Sequence, residues 1–344
     1  MGTKLADIMK AEIISLNDLK DRVIAFDAFN TVYAFLSSIR QPDGTPLMDR
    51  KGRVTSHLSG LFYRNLNLLE AGVRPVYVFD GKPPELKAAE VDRRKEIRDA
   101  AYEEWLVAKE EGRIEDARKA AQASSRLTTS MIEESKNLLA ALGIPVIQAP
   151  SEGEALAAQM TRANIAWASA SQDNDSFLYN CPRLVRNLTI SGRRRASRSG
   201  SYKAVHPELV DLDMNLRLLG ITREQLIDIA ILVGTDYNDG VKGIGPKTAL
   251  KLIKKHLDIE GIEAAEDIQY NFPYDEIRNI FLNPPKADIS KPKWHDFDKD
   301  NLMRILCNEH DFSLSRVESS LQRLQKALEE LRDSTEQSSL TDFF

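Results

Sequence analysis

The sequence predicts an α/β fold with a mostly parallel central sheet flanked by helices, and three features of its pattern support this prediction. Short apolar, β-branched runs predict buried strands. Amphipathic stretches lie between these runs, and strands that alternate with helices usually pair in parallel, with helices on both faces of the sheet. Two further segments have no strand pattern and predict helical insertions.

The elements can be assigned in chain order from these patterns. The predicted strands are 23–26, 76–79, 144–147 and 165–170, with a weaker fifth at 184–185. The predicted helical segments are 56–70, 87–130, 128–142, 222–257 around a glycine-rich turn, and about 299–333. Residues 191–203 predict a flexible basic loop, because they combine Gly, Ser and Arg without periodicity.

Length and composition exclude several classes of protein. A chain of 344 residues is long enough for one large domain or two smaller ones. No apolar window of about 18 residues predicts a membrane span, and the N-terminal stretch lacks the apolar core of a signal peptide. Cys181 and Cys307 have no Cys or His at metal-ligand spacing, which argues against a disulfide framework and a structural zinc. We therefore expect a reducing compartment and no membrane partner.

The charge is unevenly distributed along the chain. The formal net charge is −5, which by itself argues against a polyanionic partner. However, residues 183–203 contain seven basic residues and no acid, and residues 242–255 contain five lysines and no acid. A polyanion responds to such local patches rather than to the total charge. Solvated surface is the alternative interpretation of either patch alone.

Acidic residues follow the predicted strands at the point where each strand ends. The carboxyl ends of parallel strands meet at one edge of a sheet, where the working site of such folds lies. We therefore expect six of these acids to lie together, and a seventh, which follows an apolar helix, to join them. The seven acids are Asp27, Asp80, Glu152, Glu154, Asp173, Asp175 and Asp236.

Acids gathered in this way predict a site for divalent metal ions. Neighbouring carboxylates repel one another unless cations lie between them, and Mg²⁺ prefers oxygen ligands. Two such ions roughly 3.5–4 Å apart are the usual arrangement for phosphodiester hydrolysis. A single Asp after a strand is more often a turn or N-cap residue, and Ser151 with Glu154 also matches a capping box. The joint placement of the acids favours the metal site.

Long motifs in this chain resemble those of the flap endonuclease family of 5′ nucleases, which includes the XPG-type nucleases. The motifs are TSHLSGLFYR, RPVYVFDGKPPELK, LGIPVIQAPSEGEA, SQDNDSFLY and VGTDYNDGVKGIGPKTAL. The resemblance covers nearly the whole chain. It implies a PIN- or Rossmann-like α/β fold and a Mg²⁺-dependent enzyme, for which Mn²⁺ can substitute. It also implies 5′ flap endonuclease and 5′–3′ exonuclease activity on flaps, nicks and gaps, in Okazaki fragment maturation and base excision repair.

The resemblance also implies roles for individual residues. The seven acids match the family's metal ligands. Lys87 and Arg94 match basic residues that engage the scissile phosphate, and a spacing of seven places them on one face of a helix. Tyr33 matches an aromatic residue that stacks near the unpaired nucleotide. An exposed ion-pairing role for the two basic residues, and a core role for Tyr33, are the alternatives.

A division of the chain follows from the same resemblance. Residues 1–330 are expected to form a single nuclease domain. Within it lie an N-terminal region (about 1–98), a helical arch that admits the 5′ single strand (about 87–130), and an internal region (about 131–257). Residues 331–344 are expected to form a flexible tail. We expect a monomeric, cytoplasmic enzyme of the archaeal type.

The turn between the two helices of 222–257 resembles a helix–hairpin–helix DNA clamp. Pro246 separates Gly245 from Lys247, so the phosphate-binding P-loop pattern is not met, and proline suits the first position of a helix. Glycine amides and a helix N-terminus can hold a backbone phosphate, and the family also binds K⁺ at this turn. A plain pair of helices is the alternative. The expected DNA-contacting residues are Tyr33, Gly234, Asp236, Gly243, Gly245, Lys247, Arg193, Arg194 and Arg195.

The C-terminal residues resemble the box that binds the sliding clamp PCNA. An aliphatic residue three positions after Gln337 is followed by two aromatic residues, and such side chains are suited to a groove on the clamp. The residues of this box are Gln337, Leu340, Phe343 and Phe344. A tail that packs on its own domain is the alternative.

Two other functions would explain part of the pattern. A PIN-type ribonuclease would explain the acids, but not the long helical insertion or the Gly-Ile-Gly-Pro-Lys turn. A non-enzymatic clamp adaptor would explain only the tail. Gln172, where many relatives carry an acid, and the arginine-rich segment 191–203 depart from the family pattern without changing an expected ligand.

Overall fold

The computed structural model describes residues 3–189, 193–195, 202–266 and 270–341. In this part of the chain, no helix is both long enough and apolar enough to cross a membrane. The strands are β1 (Glu12–Ile13), β2 (Val23–Asp27), β3 (Arg74–Phe79), β4 (Val146–Gln148), β5 (Ala168–Ala170), β6 (Arg183–Arg186), β7 (Arg193–Arg195), β8 (Tyr202–Ala204) and β9 (Glu208–Asp211).

Seven of these strands form one sheet in the order β1-β9-β6-β5-β2-β3-β4. The five strands predicted from the sequence, β2 to β6, pair in parallel, which confirms the predicted fold class. The sequence analysis missed β9 and β1, which pair antiparallel at one edge. Both are short and carry acidic residues, so neither forms the apolar run that indicates a buried strand.

The helices cover both faces of the sheet and form its insertions. They are α1 (Ala28–Ser38), α2 (Ser56–Glu70), α3 (Ala88–Glu110), α4 (Ile114–Ala123), α5 (Thr129–Ala141), α6 (Gly153–Arg162), α7 (Leu212–Leu219), α8 (Arg223–Val233), α9 (Pro246–His256), α10 (Ile259–Glu266), α11 (Tyr274–Leu282), α12 (Lys299–Met303) and α13 (Leu314–Thr341). The predicted helical insertion at 87–130 is confirmed as α3 and α4, and the helices around the glycine-rich turn are α8 and α9.

Alternating side chains of the central strands enter two cores. Ile24 and Phe26 face one core, which α1, α2, α5 and α13 cover, and the ring of Phe26 stacks on that of Tyr77 at 5.1 Å. Ala25 and Val78 face the opposite core, which α6 covers. Burial on both faces explains why the parallel strands are apolar throughout. The sheet is thus held on both sides, and its carboxyl edge has a fixed geometry.

Two segments differ from the sequence-based expectation. The predicted loop 191–203 contains β7 and β8, which pair antiparallel. Charged strands have no apolar alternation, so the pattern could not reveal them. The side chains of Arg193, Arg194 and Arg195 lie outside the described part of the structure. The last helix, α13, continues to Thr341 instead of ending near residue 333, because its sequence contains no Gly or Pro.

The residues of the C-terminal box are only partly covered by the structure. Gln337 and Leu340 lie within the backbone range of α13, and their side chains are not among the described ones. Phe343 and Phe344 lie outside the described residues.

Candidate active site

A cavity of about 550 Å³ opens at the carboxyl edge of the parallel strands. Helices α1, α3 and α4 contribute to its wall, and Tyr33 on α1 lies at its border rather than in the core. All seven acids that the sequence analysis selected line this cavity: Asp27, Asp80, Glu152, Glu154, Asp173, Asp175 and Asp236. The predicted convergence of the acids is therefore present in the structure.

The first two acids are held by backbone amides at strand ends. Asp27 ends β2 and caps α1, and its Oδ1 accepts a hydrogen bond from the backbone N–H of Asn30 at 3.0 Å. Asp80 follows β3, and its Oδ1 accepts from the backbone N–H of Gly153 at 2.5 Å. One oxygen of each carboxylate is thus hydrogen-bonded to the first turn of a helix, which is α1 for Asp27 and α6 for Asp80.

Glu152 and Glu154 lie on either side of the start of α6. The helix begins at Gly153 with Glu152 as its N-cap, and the Glu152 side chain makes no capping hydrogen bond. The capping box proposed for Ser151 and Glu154 is therefore wrong. Its failure has a physical reason: Glu154 Oε1 instead accepts a hydrogen bond from Ser171 Oγ at 2.9 Å.

Residues from two separate parts of the chain hold the carboxylates of the last strand-end pair. Asp175 is only 8% exposed, and its Oδ1 accepts hydrogen bonds from both the backbone N–H and the hydroxyl of Thr3, at 2.8 and 2.6 Å. Asp173 Oδ2 accepts from the side-chain amide of Asn30 at 2.8 Å. Sequence reasoning missed Thr3, Asn30 and Ser171, because contacts across the sheet have no local pattern.

Basic residues at the start of α3 lie among the acids. Lys87 Nζ donates a hydrogen bond to Glu152 Oε2 at 2.6 Å and lies 3.3 Å from Asp236 Oδ2. Arg94 pairs with Asp236 and donates to Glu90 Oε1 at 2.7 Å. Burial lowers the pKa of Lys87, but Glu152 and Asp236 raise it further than burial lowers it, so Lys87 stays protonated. The structure therefore places both predicted basic residues at the cavity, where they neutralise part of its negative charge.

Burial and mutual repulsion raise the pKa of the deepest acids. Burial raises the pKa of Asp27 and Glu154 well above the ordinary range, and neighbouring carboxylates raise it further. The pKa of Asp80 rises to about 6 through burial and the charge of Glu152. That of Asp175 also rises to about 6, through burial and the charge of Asp173. Divalent cations would relieve this repulsion and favour the ionised carboxylates.

The donors in this cavity fit hard divalent ions. They are carboxylate oxygens, which are the ligands that Mg²⁺ prefers. Among the described residues, no three acidic, histidine or cysteine side chains are already drawn together around one point. Lys87 and Arg94 pair with two of the acids, Glu152 and Asp236. The cavity therefore has the chemistry of a metal site, with two of its acids paired to lysine and arginine.

Asp175→Asn is expected to stabilise the metal-free protein at about pH 8. The pKa of Asp175 is about 6 in the folded state, against 3.8 for an unperturbed carboxyl. Between these values the folded state binds more protons than the unfolded state, so the free energy of unfolding falls as the pH rises. Asparagine still accepts hydrogen bonds from Thr3 but carries no charge. We expect a gain of about 1–3 kcal/mol in the free energy of unfolding.

Urea unfolding in EDTA measures this gain for the wild type and for Asp175→Asn. The gain should be present at about pH 8, shrink below pH 6 and disappear below about pH 3, where the carboxyl is protonated in both states. A difference of the same size at all three pH values contradicts the prediction.

Aromatic side chains line the cavity beside the basic residues. The hydroxyls of Tyr179 and Tyr237 lie 3.0 Å apart. The ring of Phe281, on α11, packs against both at centroid distances of 5.1 and 5.5 Å. Burial raises the pKa of both tyrosines, so their hydroxyls stay protonated. None of the three residues was selected from the sequence, although Tyr237 directly follows Asp236.

The connection between α8 and α9 is rigidly folded. Asn238 Nδ2 donates to the carbonyl of Ile231 at 2.8 Å, and the backbone N–H of Val241 donates to that of Leu232 at 2.8 Å. Gly240 has a positive φ, and a Cβ there would lie 2.4 Å from the backbone of Val233. This connection begins at Gly234 and carries Asp236 at one end and the glycine-rich turn at the other.

The glycine-rich turn itself is exposed. Gly243 has a φ of +87°, and no atom lies within 4 Å of the position that a Cβ would take. Gly245 is the N-cap of α9, and Pro246 occupies its first turn as predicted. The side chain of Lys247 is exposed. The space beside Gly243 and Gly245 is therefore open to a ligand, while the backbone N–H of Ile244 already donates to the carbonyl of Val241 at 3.0 Å.

Seven carboxylates lie at the carboxyl edge of the parallel strands, and α3 and the residue before it bring Arg94 and Lys87 to the same cavity. This arrangement defines a metal-dependent nuclease of the α/β class. The family model of the XPG N-terminal domain matches residues 2–101, and that of the XPG I-region matches residues 143–236. The chain is 51% identical over 340 residues to flap endonuclease 1 of Hyperthermus butylicus, with 96% of each chain covered. The chain belongs to the flap endonuclease family.

Solved structures agree with this assignment. Flap endonuclease-1 from Methanococcus jannaschii is 38% identical, with a TM-score of 0.71 and coverage of 96% of this chain and 99% of that one. The catalytic core of Rad2 in complex with DNA substrate is 25% identical, also with a TM-score of 0.71, and the match covers 94% and 100% of the two chains.

Proposed function

We propose that this protein is a Mg²⁺-dependent 5′ flap endonuclease and 5′–3′ exodeoxyribonuclease that acts in DNA replication and repair. The observation that carries the proposal is the convergence of seven carboxylates in one cavity beside α3 and α4. Close similarity to flap endonuclease 1 over 96% of the chain supports the substrate class. A structure of Rad2 bound to DNA, with the same fold, supports a DNA substrate.

The acids of the cavity would hold two Mg²⁺ ions, with Mn²⁺ as a substitute. When bound, such a pair supplies an activated water and stabilises the leaving oxygen of the phosphodiester. Asp27, Asp80 and Asp175 provide oxygen ligands whose positions are set by backbone or hydroxyl donors. These fixed carboxylates limit the reorganisation that the site requires before reaction.

Lys87 and Arg94 would move from the acids to the phosphate of the substrate. In the structure both neutralise Asp236, and Lys87 also contacts Glu152. Ions at the acids would release these two cations, and the scissile phosphate would offer them a new anionic partner. Tyr33, at the border of the cavity, is placed to stack on an unpaired base.

DNA outside the cavity would be held at the glycine-rich turn and the basic hairpin. The accessible amides at Gly243 and Gly245, with Lys247, suit a backbone phosphate. We also propose K⁺ at this turn. Gly234 and Asp236 lie at the start of the same connection, and Arg193, Arg194 and Arg195 would add phosphate contacts from the hairpin of β7 and β8.

The proposed organisation follows the expected division of the chain. Residues 1–330 form a monomeric nuclease domain, with the arch at about 87–130 and the DNA-binding helices at 222–257. Residues 331–344 carry the clamp-binding box. Its aromatic residues would insert into an apolar groove on PCNA.

Phe343→Ala combined with Phe344→Ala should abolish stimulation of cleavage by PCNA and leave basal cleavage unchanged. The two aromatic rings would be the anchors of the tail, and they lie far along the sequence from the acids of the cavity. Calorimetric titration with PCNA and cleavage assays with and without it measure both effects. Thr335→Ala serves as the control, since it alters the polar run before the box. Equal affinity of the double variant and the wild type for PCNA contradicts the proposal.

Cleavage of matched substrates tests the proposed activity. A 5′-flap DNA, a nicked duplex, a gapped duplex, a single-stranded DNA and a single-stranded RNA of the same sequence are compared with Mg²⁺ and with EDTA. We expect Mg²⁺-dependent cleavage at the base of the flap and slower removal of nucleotides at the nick and gap. Preferential cleavage of the RNA would instead support a ribonuclease. Binding of flap DNA without cleavage would support a clamp adaptor.

A further inference from the structure

Asn30 occupies a central position among the acids of the cavity. It lies in the first turn of α1, directly after β2, and it lines the cavity. Its backbone N–H donates to Asp27 Oδ1 at 3.0 Å. This contact caps the helix and fixes one oxygen of Asp27.

The side chain of Asn30 reaches across to the segment that follows β5. Its Nδ2 donates to Asp173 Oδ2 at 2.8 Å, and its Oδ1 accepts from the backbone N–H of Gln172 at 3.2 Å. Strands β2 and β5 are neighbours in the sheet. A single residue therefore connects the carboxylates at the ends of two adjacent strands.

The two side-chain contacts fix the orientation of the amide. The backbone N–H of Gln172 is a donor, so it requires the oxygen of the amide. The NH₂ group is then directed at Asp173. Aspartate at position 30 would keep the first contact and place a second carboxylate against Asp173, and alanine would lose both contacts.

Asn30 and Lys87 contact the acids of the cavity in different ways. Lys87 contacts the acids as a cation, so it competes with metal ions for the same carboxylates. Asn30 is neutral and leaves the negative charge of Asp173 in place. A neutral donor can therefore hold the carboxylate both before and after an ion binds. Partners of metal ligands commonly act in this way, and their loss typically lowers metal affinity or activity by about 10–100-fold.

From this geometry we infer that Asn30 is a positioning residue that holds Asp173 and Asp27 in place for divalent metal. The inference rests on the proposed function, since it assigns a role toward the metal of the same cavity. Its effect should fall on metal affinity and not on DNA affinity, because its side-chain partners are Asp173 and Gln172.

Direct binding of Mn²⁺ to the full-length protein without DNA tests this role. Electron paramagnetic resonance measures free Mn²⁺ during titration of the wild type, Asn30→Ala, Asn30→Leu and Ser38→Ala. Ser38 is an exposed residue on the same helix, and its hydroxyl contacts only the carbonyl of Ala34 among the described hydrogen bonds. We expect Asn30→Ala to weaken Mn²⁺ binding by about 10–100-fold and Ser38→Ala to leave it unchanged.

Two further readouts separate positioning from general damage. Flap DNA affinity in EDTA should stay within about twofold of the wild type for Asn30→Ala, and high Mg²⁺ should restore a large part of its cleavage rate. Asn30→Leu, which has a similar size, covers the case in which alanine fails to fold. It should also lose affinity for Mn²⁺, because leucine can neither donate to Asp173 nor accept from Gln172.

The outcomes distinguish this inference from the proposed function. Wild-type Mn²⁺ affinity in a folded Asn30 variant overturns the positioning role, and so does a loss of DNA affinity in EDTA that matches the loss of cleavage. A wild-type protein that neither binds Mn²⁺ nor cleaves flaps overturns the proposed function itself.

Discussion

Asp175→Ala is expected to lower the rate of flap cleavage on the order of a thousandfold or more while DNA binding is largely retained. Asp175 is buried in the cavity, and its pKa of about 6 reflects burial and the charge of Asp173. Such a carboxylate is destabilising unless a cation compensates its charge, which is consistent with a metal ligand. Loss of a ligand weakens the electrostatic stabilisation of the transition state, whereas the glycine-rich turn proposed to hold the DNA backbone is not part of the cavity lining.

Single-turnover cleavage at saturating enzyme measures the chemical step, and a DNA-binding titration in Ca²⁺ measures affinity. Asp333→Ala is a matched control, because Asp333 is an exposed acid on α13. Unchanged cleavage by Asp175→Ala would mean that binding alone is the output of the protein, as the adaptor hypothesis requires. A parallel loss of DNA affinity would assign Asp175 to substrate binding.

Lys87→Met should lower the rate of the chemical step by about 10²–10³-fold and should not weaken metal binding. Lys87 stays protonated and lies between Glu152 and Asp236, so it places a cation beside the acids, where the substrate phosphate is proposed to bind. Methionine has a similar length but cannot donate to a phosphate. Its substitution also removes a competitor of the metal ions, so Mn²⁺ affinity should stay equal or rise.

The two opposite effects make this prediction specific. Single-turnover rates and Mn²⁺ titrations are compared for the wild type, Lys87→Met and Lys119→Met, where Lys119 is an exposed residue of α4. A lysine that only stabilises the fold would instead lower the unfolding temperature and the metal affinity together. A cleavage rate near that of the wild type would remove Lys87 from the reaction.

The sequence predicted the strands and the acids because both leave local patterns. Asp27 and Asp80 follow apolar runs directly, and the rule for parallel sheets places such residues at one edge. The antiparallel strands β1 and β9 were missed, since they are short, polar and paired only with the sheet edge. These strands form because they pair with other strands in the folded protein, and no local periodicity in the sequence indicates them.

The residues that hold the acids could not be predicted in the same way. Thr3 contacts a carboxylate 172 positions away, and Asn30 contacts one 143 positions away. Neither separation produces a repeat or a motif. The interpretation of Ser151 and Glu154 as a capping box failed for a related reason, because Ser171 competes for the carboxylate of Glu154 from another strand end.

The connection between α8 and α9 sets the distance between the cavity and the glycine-rich turn. Asp236 lines the cavity of the proposed metal site, and Gly243 lies in the turn that we propose holds the duplex. Only six residues separate them. Hydrogen bonds to Ile231 and Leu232 fasten this short span to the end of α8. The distance between the proposed duplex-binding turn and the scissile bond is therefore set by a short backbone segment. We expect flaps of any length to be cut at the same distance from the duplex.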